Sequence, residues 1–273
     1  PPVLMVHGNP TWSFYYRRLV LALRDRYRCI VPDHVGCGLS DKPGDDRYPY
    51  RLERRIADLG RLLEHLALDR PESPPVSLVV HDWGGMIGFG WAARAPERVA
   101  RTVVMNTAAF PMPDDKRFPF LLWLAGRTAP GGFLVRSINA FSGLAARIAF
   151  KKPVDPAVRA AYTGPYDSWE NRIATLRFVQ DIPLEPGDPG WEIVTGTAER
   201  LPAFADKPAL IGWGEKDFVF DEPFLRRWER ELPQAEVHRY PDCGHYVLED
   251  AAPMLLPAIS EFLDRHSGVL EAS

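Results

Sequence analysis

Cysteine is scarce in this chain. Cys29, Cys37 and Cys243 are the only three in 273 residues, too few and too scattered for a disulfide framework or a zinc site. No metal is expected, and a reducing cytoplasm is the expected setting. Long apolar runs are missing too. No window reaches the roughly 18–20 apolar residues of a membrane span, and no basic-then-apolar leader precedes the first strand-like run, so the chain is expected to stay in solution. Nor does either sign of charge dominate. Lys and Arg number 33 against 36 Asp and Glu, a formal net charge of −3, which offers no overall basic field for nucleic acid or anionic lipid. Internal repeats and low-complexity stretches are absent as well. What is present, 46% hydrophobic and 25% charged residues, suits one large α/β domain with room for an inserted subdomain.

Short β-branched and aliphatic runs alternate with helix-like stretches, a rhythm that implies a mostly parallel sheet with helices on both faces. Six strands are expected, at about 3–6, 29–32, 76–80, 99–105, 208–213 and 235–240. Helices are expected through Tyr15–Leu23, Arg51–Leu66, Met86–Ala95 and Phe224–Leu232, with a last one ending near Phe262. In the second of these, Leu52, Ile56, Leu59, Leu62, Leu63 and Leu66 recur at helical spacing between charged residues. From about Pro111 to about Leu201 the rhythm breaks into a Pro-, Gly- and aromatic-rich stretch with no clean strand. The expected organisation is therefore a core of residues 1–110 and 202–273 and a helical cap of residues 111–201. The first strand starts almost at Pro1, so sequence upstream is expected to be missing and strand 29–32 to lie at an open sheet edge. The tail beyond Ser267 is expected to fray.

The run Val76–Gly88 reads as strand, sharp turn, helix. In the nucleophile-elbow signature the reactive side chain sits on a strained turn above the carboxyl end of a strand, and here that seat holds Asp82. Gly84 and Gly85 follow as the turn requires, whereas Val80 replaces the glycine expected two residues earlier. A carboxylate in this seat would attack carbon and leave an alkyl ester, where a serine would take an acyl group. The competing reading is a surface aspartate in an ordinary loop, so the decision falls to its partners.

Two more residues complete the order nucleophile, acid, histidine that this architecture uses. Asp217 follows the strand ending near Gly214, and His245 follows the last strand; loops after the carboxyl ends of parallel strands converge. Asp217 could instead be a helix N-cap, with Asp221 as its competitor for the acid. Asn106 occupies another seat from which the acid can come, but an amide cannot stabilise an imidazolium as a carboxylate does. Asn9, in the loop after the first strand, and Trp83, next to the nucleophile, occupy the places that supply backbone donors of an oxyanion hole. Their side chains add an amide and an indole N–H able to hold a halide or a carboxylate oxygen.

The segments His7–Ser13, His81–Gly85 and Gly244–His245 resemble the haloalkane dehalogenases of the α/β-hydrolase superfamily, in the pattern of their third subgroup. That resemblance maps a catalytic pentad onto Asp82, His245, Asp217, Asn9 and Trp83. The longer segments Ile30–Pro43, Asn106–Pro111, Phe178–Leu184 and Gly212–Asp221 are similar to the β-lactone decarboxylases of bacterial long-chain olefin biosynthesis, over nearly the whole chain. This likeness implies an α/β-hydrolase core with a helical cap, no cofactor, and a cis-β-lactone with two long alkyl chains as substrate, giving a cis-alkene and CO2. It also allows association with other olefin-biosynthesis enzymes. Phe118, Phe120, Trp123, Phe133, Phe141, Phe150 and Trp169 would suit an acyl-chain pocket, or else the packing of the cap itself. Haloalkane dehalogenase is the alternative. Less favoured are an epoxide hydrolase, for which Tyr162 and Tyr166 could be offered as proton donors, and a non-catalytic hydrolase-fold binding protein.

Overall fold

Residues 1–267 are described by the computed structural model; the tail expected to fray lies outside them. In chain order the elements are β1 (Pro2–Val6), α1 (Arg17–Leu23), β2 (Arg28–Ile30), α2 (Leu52–His65), β3 (Val76–Asp82), α3 (Trp83–Ala92) and β4 (Val99–Thr107). Six helices follow: α4 (Phe120–Arg127), α5 (Ala129–Ser137), α6 (Ala140–Ile148), α7 (Pro156–Thr163), α8 (Ile173–Gln180) and α9 (Trp191–Ala198). The chain then returns to the sheet through β5 (Ala209–Gly214), α10 (Glu222–Glu231) and β6 (Glu236–Tyr240), and ends in α11 (Val247–Asp250) and α12 (Ala252–Arg265).

The six strands form one parallel sheet in the order β2-β1-β3-β4-β5-β6. As expected, β2 is at the margin, three residues long and half exposed. Every residue of β1, β3 and β5 is buried, because helices cover both faces and no strand face needs to be polar. Alternate residues of one strand feed opposite cores. Leu4, Val6, Leu78 and Val80 join the layer beneath α2, α3 and α10, while Val3, Met5 and Val79 join that beneath α1 and α12. In α2 the buried Leu52, Ile56, Leu59 and Leu63 form the stripe that grips the sheet. Four such side chains at about 1.5–3 kcal/mol each contribute roughly 6–12 kcal/mol before entropy.

Element order explains where a site must form. The chain steps from β1 outward to β2, then back across to β3 and on to β6, so adjacent β1 and β3 send their following loops in opposite directions and leave a crevice between them. Helices α4–α9 all fall between β4 and β5, and among the described residues no strand interrupts them. The last, α9, packs on α3 and contributes Val194 to the sheet core. Among the described residues no helix is long and apolar enough to cross a membrane.

Candidate active site

At the crevice, β3 ends in a register shift between His81 and Asp82, and Asp82 takes φ 52°, ψ −127°. Such a backbone is costly for a residue with a side chain, and it lifts the carboxylate off the sheet. The turn is tight enough that a Cβ on Gly84 would stand 1.9 Å from the Val6 carbonyl oxygen, and one on Gly8 would stand 2.0 Å from Asp82 Oδ1. Helix α3 therefore starts at Trp83, three residues before the expected start, with tertiary packing overriding the low helix propensity of glycine. The Thr107 hydroxyl donates to the Asp82 carbonyl and accepts from the Gly85 N–H at 3.1 Å, tying β4 to the turn.

Asp82 Oδ1 accepts the backbone N–H of Asn9 at 2.6 Å. Oδ2 lies 3.5 Å from His245 Nε2, an ion pair rather than a short hydrogen bond. On the other side of the imidazole, His245 Nδ1 is 2.7 Å from Asp217 Oδ2, and Asp217 Oδ1 accepts from the Val219 N–H at 2.8 Å. The structure thus brings Asp82, His245 and Asp217 into one line, all of them buried. Asp221 lies elsewhere, paired with Lys116.

Asn106 and Asp217, weighed as alternatives from sequence, prove to be partners. Asn106 Nδ2 donates to Asp217 Oδ2 and to the Gly214 carbonyl, both at 3.0 Å, and its Oδ1 accepts the Gly214 N–H at 2.8 Å. At φ 35°, Asn106 is in a region that asparagine tolerates better than most residues. A second unforeseen support is His81, whose ring N–H donates to the His245 carbonyl at 2.8 Å.

Electrostatics follow from this burial. On its own, burial would lower the His245 pKa, but the carboxylates of Asp217 and Asp82 outweigh it and push it up to about 10. Burial would raise Asp82, yet the interaction with protonated His245, helped by the Asn9 N–H, holds it below the ordinary carboxylate value. The resting pair at neutral pH is imidazolium and carboxylate. His81, buried and repelled by His245, is pushed down to about 3 and stays neutral.

Asn9, Asp82, Trp83 and His245 share the wall of a cavity of about 240 Å³. The Asn9 amide donates to the Thr175 carbonyl of α8 at 3.1 Å, while its buried Oδ1 has no partner. The Trp83 ring packs on Phe178 at 5.2 Å. Apart from Lys116, the rest of the lining is overwhelmingly apolar and includes Met86, Phe110, Phe118, Phe141 and Phe220. Among the described residues no cluster of metal-ligating side chains is assembled.

Of the aromatic residues expected in an acyl-chain pocket, Phe118 and Phe141 line the cavity. Phe120, Trp123 and Trp169 do not, and that expectation is corrected. Phe120 and Trp123 stack on each other at 5.9 Å on the exposed side of α4, since residues three apart share one helix face. Trp169 lies beside Phe133 beneath Arg136, in a separate shallow depression. Phe150 is buried against Tyr162 and Tyr246. Tyr162 and Tyr166 are absent from the cavity wall; their hydroxyls bond Glu249 and the Thr11 carbonyl, which removes the proton donors an epoxide hydrolase would need.

A family model described as alpha/beta hydrolase fold matches residues 1–252. The chain is 54% identical over 263 residues to a cis-3-alkyl-4-alkyloxetan-2-one decarboxylase of Shewanella oneidensis, covering 96% of this chain and 81% of that protein. It is 50% identical over 269 residues to a protein of the same name from Xanthomonas campestris pv. campestris, covering 97% and 88%. The crystal structure of the haloalkane dehalogenase DbeA from Bradyrhizobium elkani USDA94 superposes with a TM-score of 0.85 at 26% identity, covering 100% of this chain and 92% of that one.

Proposed function

The chain belongs to the alpha/beta hydrolase fold family, and from that premise we propose that it is a cis-3,4-dialkyl-β-lactone (oxetan-2-one) decarboxylase releasing a cis-alkene and CO2. The observation that carries this reading is 54% and 50% identity along nearly the whole chain to proteins of that name, joined to a buried carboxylate at the floor of an apolar cavity.

In the proposed reaction Asp82 attacks ring carbon C4. The C4–O bond breaks, its electron pair stays on the ring oxygen, and a carboxylate forms on the substrate. The side-chain N–H groups of Asn9 and Trp83 hold that carboxylate. The C2–C3 bond then supplies the electron pair of the new C3=C4 double bond, CO2 departs, and Asp82 leaves C4 as a carboxylate. One inversion followed by anti elimination converts a cis-lactone into a cis-alkene, and no water is consumed. His245, held by Asp217, keeps Asp82 ionised before attack and receives it again on departure. Residues 111–201 act in this reading as a cap, with α4, α5, α6 and α8 supplying the apolar wall. The alkene product places the reaction in olefin biosynthesis, where association with neighbouring enzymes would protect a reactive lactone, and the three unpaired cysteines suit the cytoplasm.

Haloalkane dehalogenase is the second reading, favoured by the Asn9 and Trp83 donors beside Asp82. There Asp82 displaces halide, and loss of its charge in the ester lowers the His245 pKa so that the imidazole can activate water. Turnover in H2¹⁸O separates the two. A decarboxylase gives alkene without labelling Asp82, whereas ester hydrolysis places ¹⁸O in the Asp82 carboxylate over repeated turnovers.

A further inference from the structure

The even overall charge conceals a segregation. Residues 117–152 contain six basic side chains (Arg117, Arg127, Arg136, Arg147, Lys151 and Lys152) and no acidic one, so the remainder of a chain of net charge −3 carries −9. This segment holds α4, α5 and α6, which pack in series. Arg117, Arg147, Lys151 and Lys152 are exposed, and none of the four has a carboxylate within 4.0 Å among the described residues. Of the bordering acids, Asp115 pairs with Arg226, Asp188 with Arg127 and Asp242 with Lys216, which leaves exposed Asp114 beside Arg117.

The same segment carries uncovered apolar surface. Phe120, Phe133 and Ile138 are 67%, 60% and 70% exposed. Leu121, Leu134 and Leu144, one from each helix, are exposed and yet line the cavity, which makes them its rim. A cluster of large exposed apolar groups marks an interaction surface. Apolar side chains set among lysines and arginines, on a segment that itself holds no acid, match the boundary of an anionic lipid layer.

We propose that the α4–α6 face seats the protein on an anionic phospholipid bilayer, with the apolar side chains at the headgroup boundary, the cations over phosphates and the cavity mouth opening toward the lipid. The purpose assigned to this docking rests on the lactone reading: a substrate with two long alkyl chains would pass from bilayer to cavity without crossing water. The docking itself does not depend on that chemistry.

Flotation of the full chain with vesicles tests the proposal. Vesicles containing phosphatidylglycerol should carry the protein at least about tenfold better than pure phosphatidylcholine, with the binding lost as salt screens the charges. Arg117→Glu combined with Arg147→Glu, and separately Ile138→Asp, should abolish flotation while leaving the circular dichroism spectrum and melting temperature unchanged. No flotation of the wild type, or equal flotation of the variants, would overturn the proposal. So would a dimer in light scattering that Ile138→Asp dissolves, since a second copy would then cover this face. Flotation without lactone turnover would sink the decarboxylase reading and leave the docking standing; lactone turnover without flotation would do the reverse.

Discussion

Replacing Asn106 tests whether Asp217, the proposed acid of a triad, is held as the geometry indicates. Its side chain makes one hydrogen bond to Asp217 and two to the Gly214 backbone, at 2.8–3.0 Å in a fully buried setting. Asn106→Gly keeps the backbone freedom needed at φ 35° and orphans the Gly214 N–H, while the Gly214 carbonyl keeps only the Asp217 N–H at 3.3 Å. At about 1–3 kcal/mol for the buried N–H left unsatisfied and about 0.5–1.5 kcal/mol for the lost bond to Asp217, the loss should be about 2–4 kcal/mol. For a domain of this size that lowers the melting temperature by roughly 4–16 °C. Asn106→Ala should cost about 1 kcal/mol more, because an alanine strains at positive φ. With Asp217 freed from one of its two donors at Oδ2, His245 should lose alignment and kcat should fall about tenfold, while KM stays within about twofold because Asn106 is absent from the cavity wall. Differential scanning calorimetry and steady-state alkene formation measure the two halves. A variant with unchanged melting temperature and kcat would refute the reasoning, and Ala as stable as Gly would refute the strain argument.

Asp82→Asn should fold normally and turn over below about one-tenth of wild type, since an amide is a poor nucleophile of nearly the same shape; retained alkene formation would remove Asp82 from the mechanism. If bromoalkanes are substrates, His245→Ala should trap an alkyl-enzyme visible by intact-protein mass spectrometry after one turnover, because displacement does not need the base and hydrolysis does. The pKa of His245 is raised above its ordinary 6.5 to about 10, so its contribution to stability is complete below about pH 6.5 and is lost as pH climbs through 10. The melting-temperature difference between wild type and His245→Gln should therefore shrink across that window, and a constant difference would contradict the buried ion pair. Phe141→Ala, in the cavity wall, should lower kcat/KM for a long-chain substrate about tenfold or more, whereas Phe120→Ala, on the exposed face of α4, should leave it within about twofold.

What was legible in the sequence was local or repetitive. The turn at Asp82, the Gly-His after the last strand and the six aliphatic runs announce themselves within a few residues, and parallel topology brings their loops together without further information. The clasp of Asn106 on Gly214 and Asp217 was not legible, because its members lie about a hundred residues apart and an asparagine at a strand end has many ordinary uses. Neither were the pocket aromatics. In α4 one face meets the cavity and the other meets solvent, and both are apolar, so periodicity alone could not assign Phe120 or Trp123 to a side. The same ambiguity hid the basic, apolar face of α4–α6 behind a balanced total charge.

The account stands most directly on one comparison: the protein incubated in parallel with a cis-3,4-dialkyl-β-lactone and with a panel of bromoalkanes, alkene followed by gas chromatography and bromide by ion chromatography. The lactone should give cis-alkene and CO2 in equal amounts, dependent on Asp82, with at most slow bromide release from any haloalkane. Rapid bromide release with no alkene from the lactone would contradict the proposed function.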